Sequence, residues 1–184
     1  MLLKYETQRL ILKVLGPDYA SDVLKFYLKD RELFEQYESD RSPNFYTYAH
    51  QRTILQLEYG LTLKLAQVRF YVFLKDNPET IIGTVCLYDI SNTYSRAEIG
   101  YKFSSAYHHN GYASEAVEKL VDIAFSELNL HRLCAHVQNN NFASIRLLAG
   151  LGFEKEGICR DYLCLNGIWT DHLQYSLITP ALYL

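Results

Sequence analysis

Methionine and tryptophan occur once each in this 184-residue sequence, proline four times and glycine nine times. That scarcity of Pro and Gly excludes polyproline, collagen-like and low-complexity chains. Also missing is any C-x-x-C spacing, which excludes a zinc knuckle and a thioredoxin-type pair. The four cysteines, Cys86, Cys134, Cys159 and Cys164, sit singly in apolar strand-like runs, so buried, reduced thiols are expected. No window approaches the ~18 consecutive apolar residues of a membrane span, and "MLLKYETQRL" lacks the apolar core of a signal peptide. A cytoplasmic setting with no membrane partner is the expectation. Net charge is -3 and no basic run exceeds two residues, so no nucleic-acid partner is expected either. A P-loop is absent, as is G-x-S-x-G. "GLGFEK" begins like a dinucleotide fingerprint but lacks the third glycine and precedes a strand, which counts against an oxidoreductase.

What is present is an ordinary folded composition, 49% hydrophobic and 21% charged, with length enough for one domain over 1–184. Tyrosine is abundant at 16 residues, and "QYESDRSPNFYTY" (36–48) concentrates rings that combine an apolar face with a polar tip.

"QRLILKVL" (8–15) alternates and predicts a strand ended by Gly16-Pro17. A helix then opens at Pro17-Asp18, with Ala20, Val23, Leu24, Tyr27 and Leu28 at helical spacing. Residues 30–47 read as irregular, and 48–66 as a second helix. Three strands follow over 69–76, 80–90 and 96–104, the first two joined by a tight "NPET" turn. Val117, Leu120, Val121, Ala124, Phe125 and Leu128 mark an amphipathic helix. A strand over 131–138, a short helix over 142–151 and strands near 153–164 and 168–178 complete the chain, the last two joined by Asn166-Gly167. The order β-α-α-β-β-β-α-β-α-β-β predicts one α+β domain around a mixed, mostly antiparallel sheet flanked by helices, with one parallel crossover.

"AYHHNGYASEAV" (106–117) places Gly111 at the mouth of the amphipathic helix. Unpaired N–H groups and the positive end of the helix dipole converge there, which suits a phosphate or pyrophosphate. A glycine lets the backbone approach such a ligand. The spacing alone fits a plain turn glycine equally.

"HHNGYASEA" resembles the pyrophosphate loop of the GNAT acyltransferases, [QR]-x-x-G-x-[GA]. It is preceded by "EIGYKF", like their splayed fourth strand, and followed by "NNNFASIRLLAGLGFEKEG", like their N-x-x-S-x-x-x-x-x-x-G-F segment. With "ETQRLIL" and "GIWTDHLQYSL" at the ends, the chain resembles the RimJ/RimL-like branch, the ribosomal-protein N-acetyltransferases. His108 departs from the usual Gln or Arg. The resemblance implies a sheet splayed between the fourth and fifth strands and acetyl-CoA as co-substrate, with no metal. Amides of His109, Asn110, Gly111, Tyr112, Ala113 and Ser114 would cradle the pyrophosphate. The strand edge at Tyr101, Lys102 and Phe103 would pair with the pantetheine arm. Asn141 matches the asparagine that contacts that arm, and it also suits a helix N-cap.

Acetyl transfer to an amine needs a neutral nucleophile, a proton acceptor and a stabilised thiolate. Glu98 is the one carboxylate of its strand and stands equally well in an ion pair. His136 lies where several GNAT enzymes carry a basic residue and equally suits a hydrogen-bonded core position. Leu148 replaces the tyrosine acid of many members, and Ser144 of N-x-x-S is the substitute that the branch implies. His108-His109 offers no third metal ligand, and Asp171-His172 reads as structural.

The expected reaction is acetyl transfer from acetyl-CoA to a primary amine by direct attack in a ternary complex. A non-catalytic acyl-CoA-binding module is the alternative, argued from the missing tyrosine. The acceptor is expected to be a protein N-terminus or a small-molecule amine, held in a groove formed by 30–48 and 159–170. Glu32, Glu35, Glu38 and Asp40 would attract it among Tyr37, Phe45, Tyr46 and Tyr48. A homodimer stays an option.

Overall fold

The strand predicted over 8–15 is the second arm of a hairpin. In the computed structural model, which describes residues 1–179, β1 (Lys4–Glu6) and β2 (Leu10–Lys13) pair antiparallel around Thr7, whose N–H donates to the Leu10 carbonyl at 3.0 Å. β1 escaped notice because only Tyr5 of "KYE" is buried, and three residues cannot display a period. A 3₁₀ turn at Pro17–Tyr19 leads into α1 (Ala20–Lys29), which buries Ala20, Val23, Phe26 and Tyr27. Leu28, assigned to that face from spacing, is 48% exposed, and Phe26 takes its place inside.

Residues 30–47 are more regular than expected: α2 (Arg31–Glu35) and a 3₁₀ turn at Pro43–Tyr46 lie within them. α3 (Tyr48–Leu63) stops three residues short of the predicted end, where Leu65 turns to φ +53°. β3 (Val68–Leu74), β4 (Asn77–Ser91) and β5 (Arg96–Phe103) form an antiparallel meander. Its first turn is Lys75-Asp76; "NPET" belongs to the start of β4, with Asn77 opposite Leu74 across an irregular register. α4 (Tyr112–Asp122) ends in a π-helical turn over Ile123–Glu127. β6 (Arg132–Gln138), α5 (Phe142–Gly150), β7 (Glu154–Leu165) and β8 (Ile168–Ile178) follow. Asn166 and Gly167 both have positive φ, +51° and +77°, as a two-residue primed hairpin turn requires.

The eight strands form one sheet in the order β1-β2-β3-β4-β5-β6-β8-β7. Alternation gives it two apolar faces. Ala97, Ile99, Leu133, Ala135 and Val137 meet Ala116, Val117 and Leu120 of α4 and Leu148 of α5, while Tyr71 and Phe73 meet α1 and Leu55 of α3 on the other side. Glu98, Gly100, Lys102, Cys134 and His136 alternate out of the first core, toward the α1–α3 side. β5 and β6 are the parallel pair, in register only from Arg96–Arg132 to Glu98–Cys134. Beyond Glu98 they part, so the splay lies where the resemblance placed it.

Asp30, just after α1, anchors the far end of β5. Its carboxylate accepts from the hydroxyls of Ser104 and Ser105, each at 2.5 Å, and from the Ser105 N–H at 3.2 Å. Burial alone would push this carboxyl up, but the serine bonds outweigh it and hold it below the ordinary range. Asp30→Ala is expected to cost about 2–3 kcal/mol, because it strands the buried Ser104 hydroxyl, and to lower the urea midpoint at unchanged m. With the folded pKa below the unfolded one, the stabilisation is complete above about pH 4 and fades as pH falls through the folded value. A midpoint like the parent's at pH 7 would refute this anchor.

Candidate active site

The loop from β5 to α4 is built around backbone. His108 Nε2 donates to the Phe103 carbonyl at 2.9 Å, and Asn110 Nδ2 to the His108 carbonyl at 2.8 Å. His109 (φ +62°) and Gly111 (φ +76°) both take the left-handed conformation, and no side chain caps α4 at Gly111. Successive backbone turns of this kind at an uncapped helix start make a concave amide nest for an anion. Arg9 braces it from the β1–β2 hairpin: Nη1 donates to the Asn110 carbonyl at 2.9 Å and Nε to Glu115 at 2.7 Å, with the guanidinium 4.6 Å over the Tyr112 ring. A Cβ at Gly111 would lie 3.4 Å from Arg9 Nη2. These features fit a pyrophosphate. His108 thus acts through a backbone carbonyl, and no group of three metal-ligating side chains occurs among the described residues.

The parted strands continue the site. From Ile99 to Phe103, β5 has no β6 partner, leaving the edge at Tyr101, Lys102 and Phe103 open toward the cleft. The Tyr101 hydroxyl donates to the Ser144 carbonyl at 3.3 Å, tying this edge to the first turn of α5; burial pushes that phenol up to about 12. Asn141 Oδ1 accepts from the Ser144 N–H at 3.1 Å, the N-cap that the sequence allowed. The Ser144 hydroxyl lies beside the Tyr101 phenol, whose pKa it lowers against the effect of burial, and the residue is partly exposed. Leu148 is buried in the core, so no acid replaces the missing tyrosine there.

Across the sheet from α5, Glu98 and His136 come together, 3.1 Å from Oε2 to Nδ1. The bond to His136 holds the Glu98 carboxyl below its ordinary range against the opposing effect of burial. An ionised carboxylate at Nδ1 requires a proton on that nitrogen and leaves Nε2 with its lone pair. Tyr88 lies against Gly100, where a Cβ would meet its Cε1 at 3.3 Å; burial, then Glu98, raise its phenol. Tyr162 of β7 stacks on the His136 ring at 4.3 Å and 20°, its hydroxyl 3.2 Å from Nδ1. Arg9, Asp30, Tyr88 and Tyr162 escaped the sequence reading. Only Tyr162 had a partial signal, since Asn166-Gly167 folds residues 159–165 onto β8, but the aim of its ring depends on a bulge.

The segments 30–48 and 159–170 do meet: the Asn166 N–H donates to Asp40 at 2.7 Å. Three of their four named carboxylates, Glu35, Glu38 and Asp40, are already engaged. Glu35 pairs with Arg31 at 3.0 Å and accepts from the Tyr46 hydroxyl at 2.7 Å, and Glu38 pairs with both Lys102 and Arg41. The aromatic rings hold the chain's own cations, Arg41 at 4.0 Å over Phe45 and 4.7 Å over Tyr27, and Lys102 at 5.1 Å over Tyr27. The open acidic groove is therefore a self-neutralised cluster. The cysteines also differ from expectation. All four are free thiols, but only Cys86 is buried; Cys134, Cys159 and Cys164 are partly exposed because strands β6 and β7 flank open surface.

Residues 9–154 match the family described as acetyltransferase (GNAT) domain. The probable N-acetyltransferase YjcK of Bacillus subtilis is 35% identical over 88% of this chain and 89% of its own length. The [ribosomal protein uS5]-alanine N-acetyltransferase of Escherichia coli is 26% identical over 95% and 90%. The crystal structure of ribosomal-protein-S5-alanine acetyltransferase from Vibrio fischeri, 29% identical, superposes over 96% of this chain and 97% of that one with a TM-score of 0.90. With an amide nest that suits a pyrophosphate, an open strand edge and this extent of similarity, the chain belongs to the GNAT family and is an acetyl-CoA-dependent N-acetyltransferase of its RimJ/RimL-like branch.

Proposed function

We propose that the acceptor is the free N-terminus of a protein, acetylated by direct attack on the thioester in a ternary complex. The similarity to enzymes that act on ribosomal protein S5 supports that class. The observation that carries it is the charge state of the acceptor side. Lys102 and Arg41 both pair with Glu38, and Arg31 pairs with Glu35, so these carboxylates are already occupied by the chain's own cations. Such a surface disfavours the distal ammonium groups of a polyamine, whereas a peptide brings only its α-ammonium near the cleft.

Acetyl-CoA supplies the activated acyl group. His136, oriented by Glu98, takes the ammonium proton at Nε2, and Ser144 from the opposite side of the cleft donates to the departing thiolate. The amide nest at 109–114 and the edge at 101–103 hold the cofactor.

Thiol release with hexapeptides beginning in alanine, set against spermidine and an amino sugar, tests this assignment. The peptides are expected to give a kcat/KM at least ~10-fold above either small amine. Turnover confined to the small amines would overturn it.

A further inference from the structure

The geometry points to Tyr162 as a positioning residue that stabilises the proton-loaded form of His136, through its ring face and its hydroxyl oxygen. The inference rests on the reading of His136 as the base.

β7 is deformed to deliver this side chain. Cys159 pairs with His172 and Leu163 with Thr170, so four steps on β7 match two on β8. Within that bulge Asp161 takes φ +46°, a conformation a non-glycine residue adopts at a cost of about 1–2 kcal/mol. Its N–H donates to Asp171 at 2.9 Å, which holds the turn from the neighbouring strand. Bulges beside active sites commonly re-aim one side chain. Here the re-aimed one is Tyr162, laid flat on the imidazole and wedged against His172 at 5.3 Å.

The bonding at Nδ1 sets what the hydroxyl does. A phenolic O–H donating to Nδ1 would need a lone pair there, and Glu98 would then face that lone pair at 3.1 Å, a repulsive contact. With the proton on Nδ1, the carboxylate accepts from it in the ring plane, and the phenol oxygen of the stacked ring lies over that nitrogen at 3.2 Å. When Nε2 gains the acceptor's proton, the ring becomes a cation. Tyr162 then opposes it with an oxygen dipole and a π face, both favouring the charge. The other titratable and charged groups around His136, Tyr162 and their partners are fixed in both Tyr162 variants below: Glu98 from β5 and His172 from β8 beside the ring, and Tyr88 and Asp89 from β4, Arg96 at the start of β5, Cys134 from β6 and Cys159 from β7 around Glu98 and Tyr162. A tyrosine that served packing alone would leave the titration of His136 where it is.

The test is an NMR titration of the His136 ring in the free enzyme, with its ¹⁵N shifts reporting the tautomer, alongside the pH profile of kcat/KM. Tyr162→Phe keeps the stack and loses the oxygen; its midpoint is expected about half a pH unit below the parent's. Tyr162→Leu loses both and is expected about one unit lower, the kinetic limb moving with it. A midpoint in either variant equal to or above the parent's overturns the inference. His136→Gln separates the two readings. If its kinetic limb persists, the base assignment fails; if the limb vanishes while the Tyr162 variants titrate like the parent, the Tyr162 role alone fails.

Discussion

Gly111→Glu is expected to lower acetyl-CoA affinity by at least ~10-fold, about 1.4 kcal/mol or more. Two effects act together. A side chain at φ +76° strains the backbone by about 1–2 kcal/mol, and the new carboxylate enters the nest where the pyrophosphate's own negative charge belongs. The variant should still fold. Its Cβ would meet nothing closer than Arg9 Nη2, at 3.4 Å, and a carboxylate at a helix start suits both the dipole and that guanidinium. The stabilising local pairing is the source of the functional damage, because the glutamate imitates the ligand. Gly111→Ala brings the strain without the charge and should weaken binding less. Calorimetry on both, with a urea midpoint to confirm folding, decides it; parent-like binding by folded Gly111→Glu would remove the pyrophosphate from this loop.

The fold was legible wherever an element was long enough to show its period and was bounded by residues with a backbone role. α4 announced itself by its apolar stripe, and Asn166-Gly167 by the two positive φ values a tight hairpin needs. β1 and α2, three and five residues long, were not legible, since neither spans a repeat of its pattern. The loop proposed to hold the cofactor was legible for a related reason. It is made of backbone, and backbone constraints leave marks in sequence: a glycine at a helix start, an asparagine three residues before the serine whose N–H it caps.

The acceptor side was legible only as composition. Glu38 read as an attractive charge because, with Arg41 only three residues on, its second partner is distant in sequence. Lys102 arrives from β5, 64 positions away, and only the folded chain shows that it takes the charge first. Tyr162 is a sharper case. The alternation of β7 fails through the bulge between Cys159 and Leu163, so no periodicity assigns its ring to the face that holds His136. Glu98 and His136, named separately from the sequence, are brought together by register. β5 and β6 are parallel, Glu98 lies opposite Cys134, and His136 is two residues further on the same face.

That pair carries the second large effect. His136→Gln is expected to lower kcat/KM by about 10²-fold, the usual scale for one general acid–base group, and to abolish the pH limb that the imidazole contributes. Assigning that limb to the imidazole follows from the sign at Glu98. Its carboxyl is held below the ordinary range by His136, so it is ionised well before neutrality and cannot produce a limb there. Glu98→Gln separates the partners. The limb should persist but move to lower pH, because the imidazolium has lost the carboxylate that favoured it, and the rate should fall as the orientation of Nε2 relaxes. Ser144→Ala acts on the other half of the reaction. Its N–H and carbonyl hold Asn141 and Tyr101, so removing Oγ leaves the cap intact. We expect kcat to fall by about 10²-fold with little change in the acetyl-CoA KM, and no movement of the limb. Equal losses in kcat and cofactor binding would instead make Ser144 a cofactor contact, and a limb that survives in His136→Gln would pass the proton to water beside Glu98.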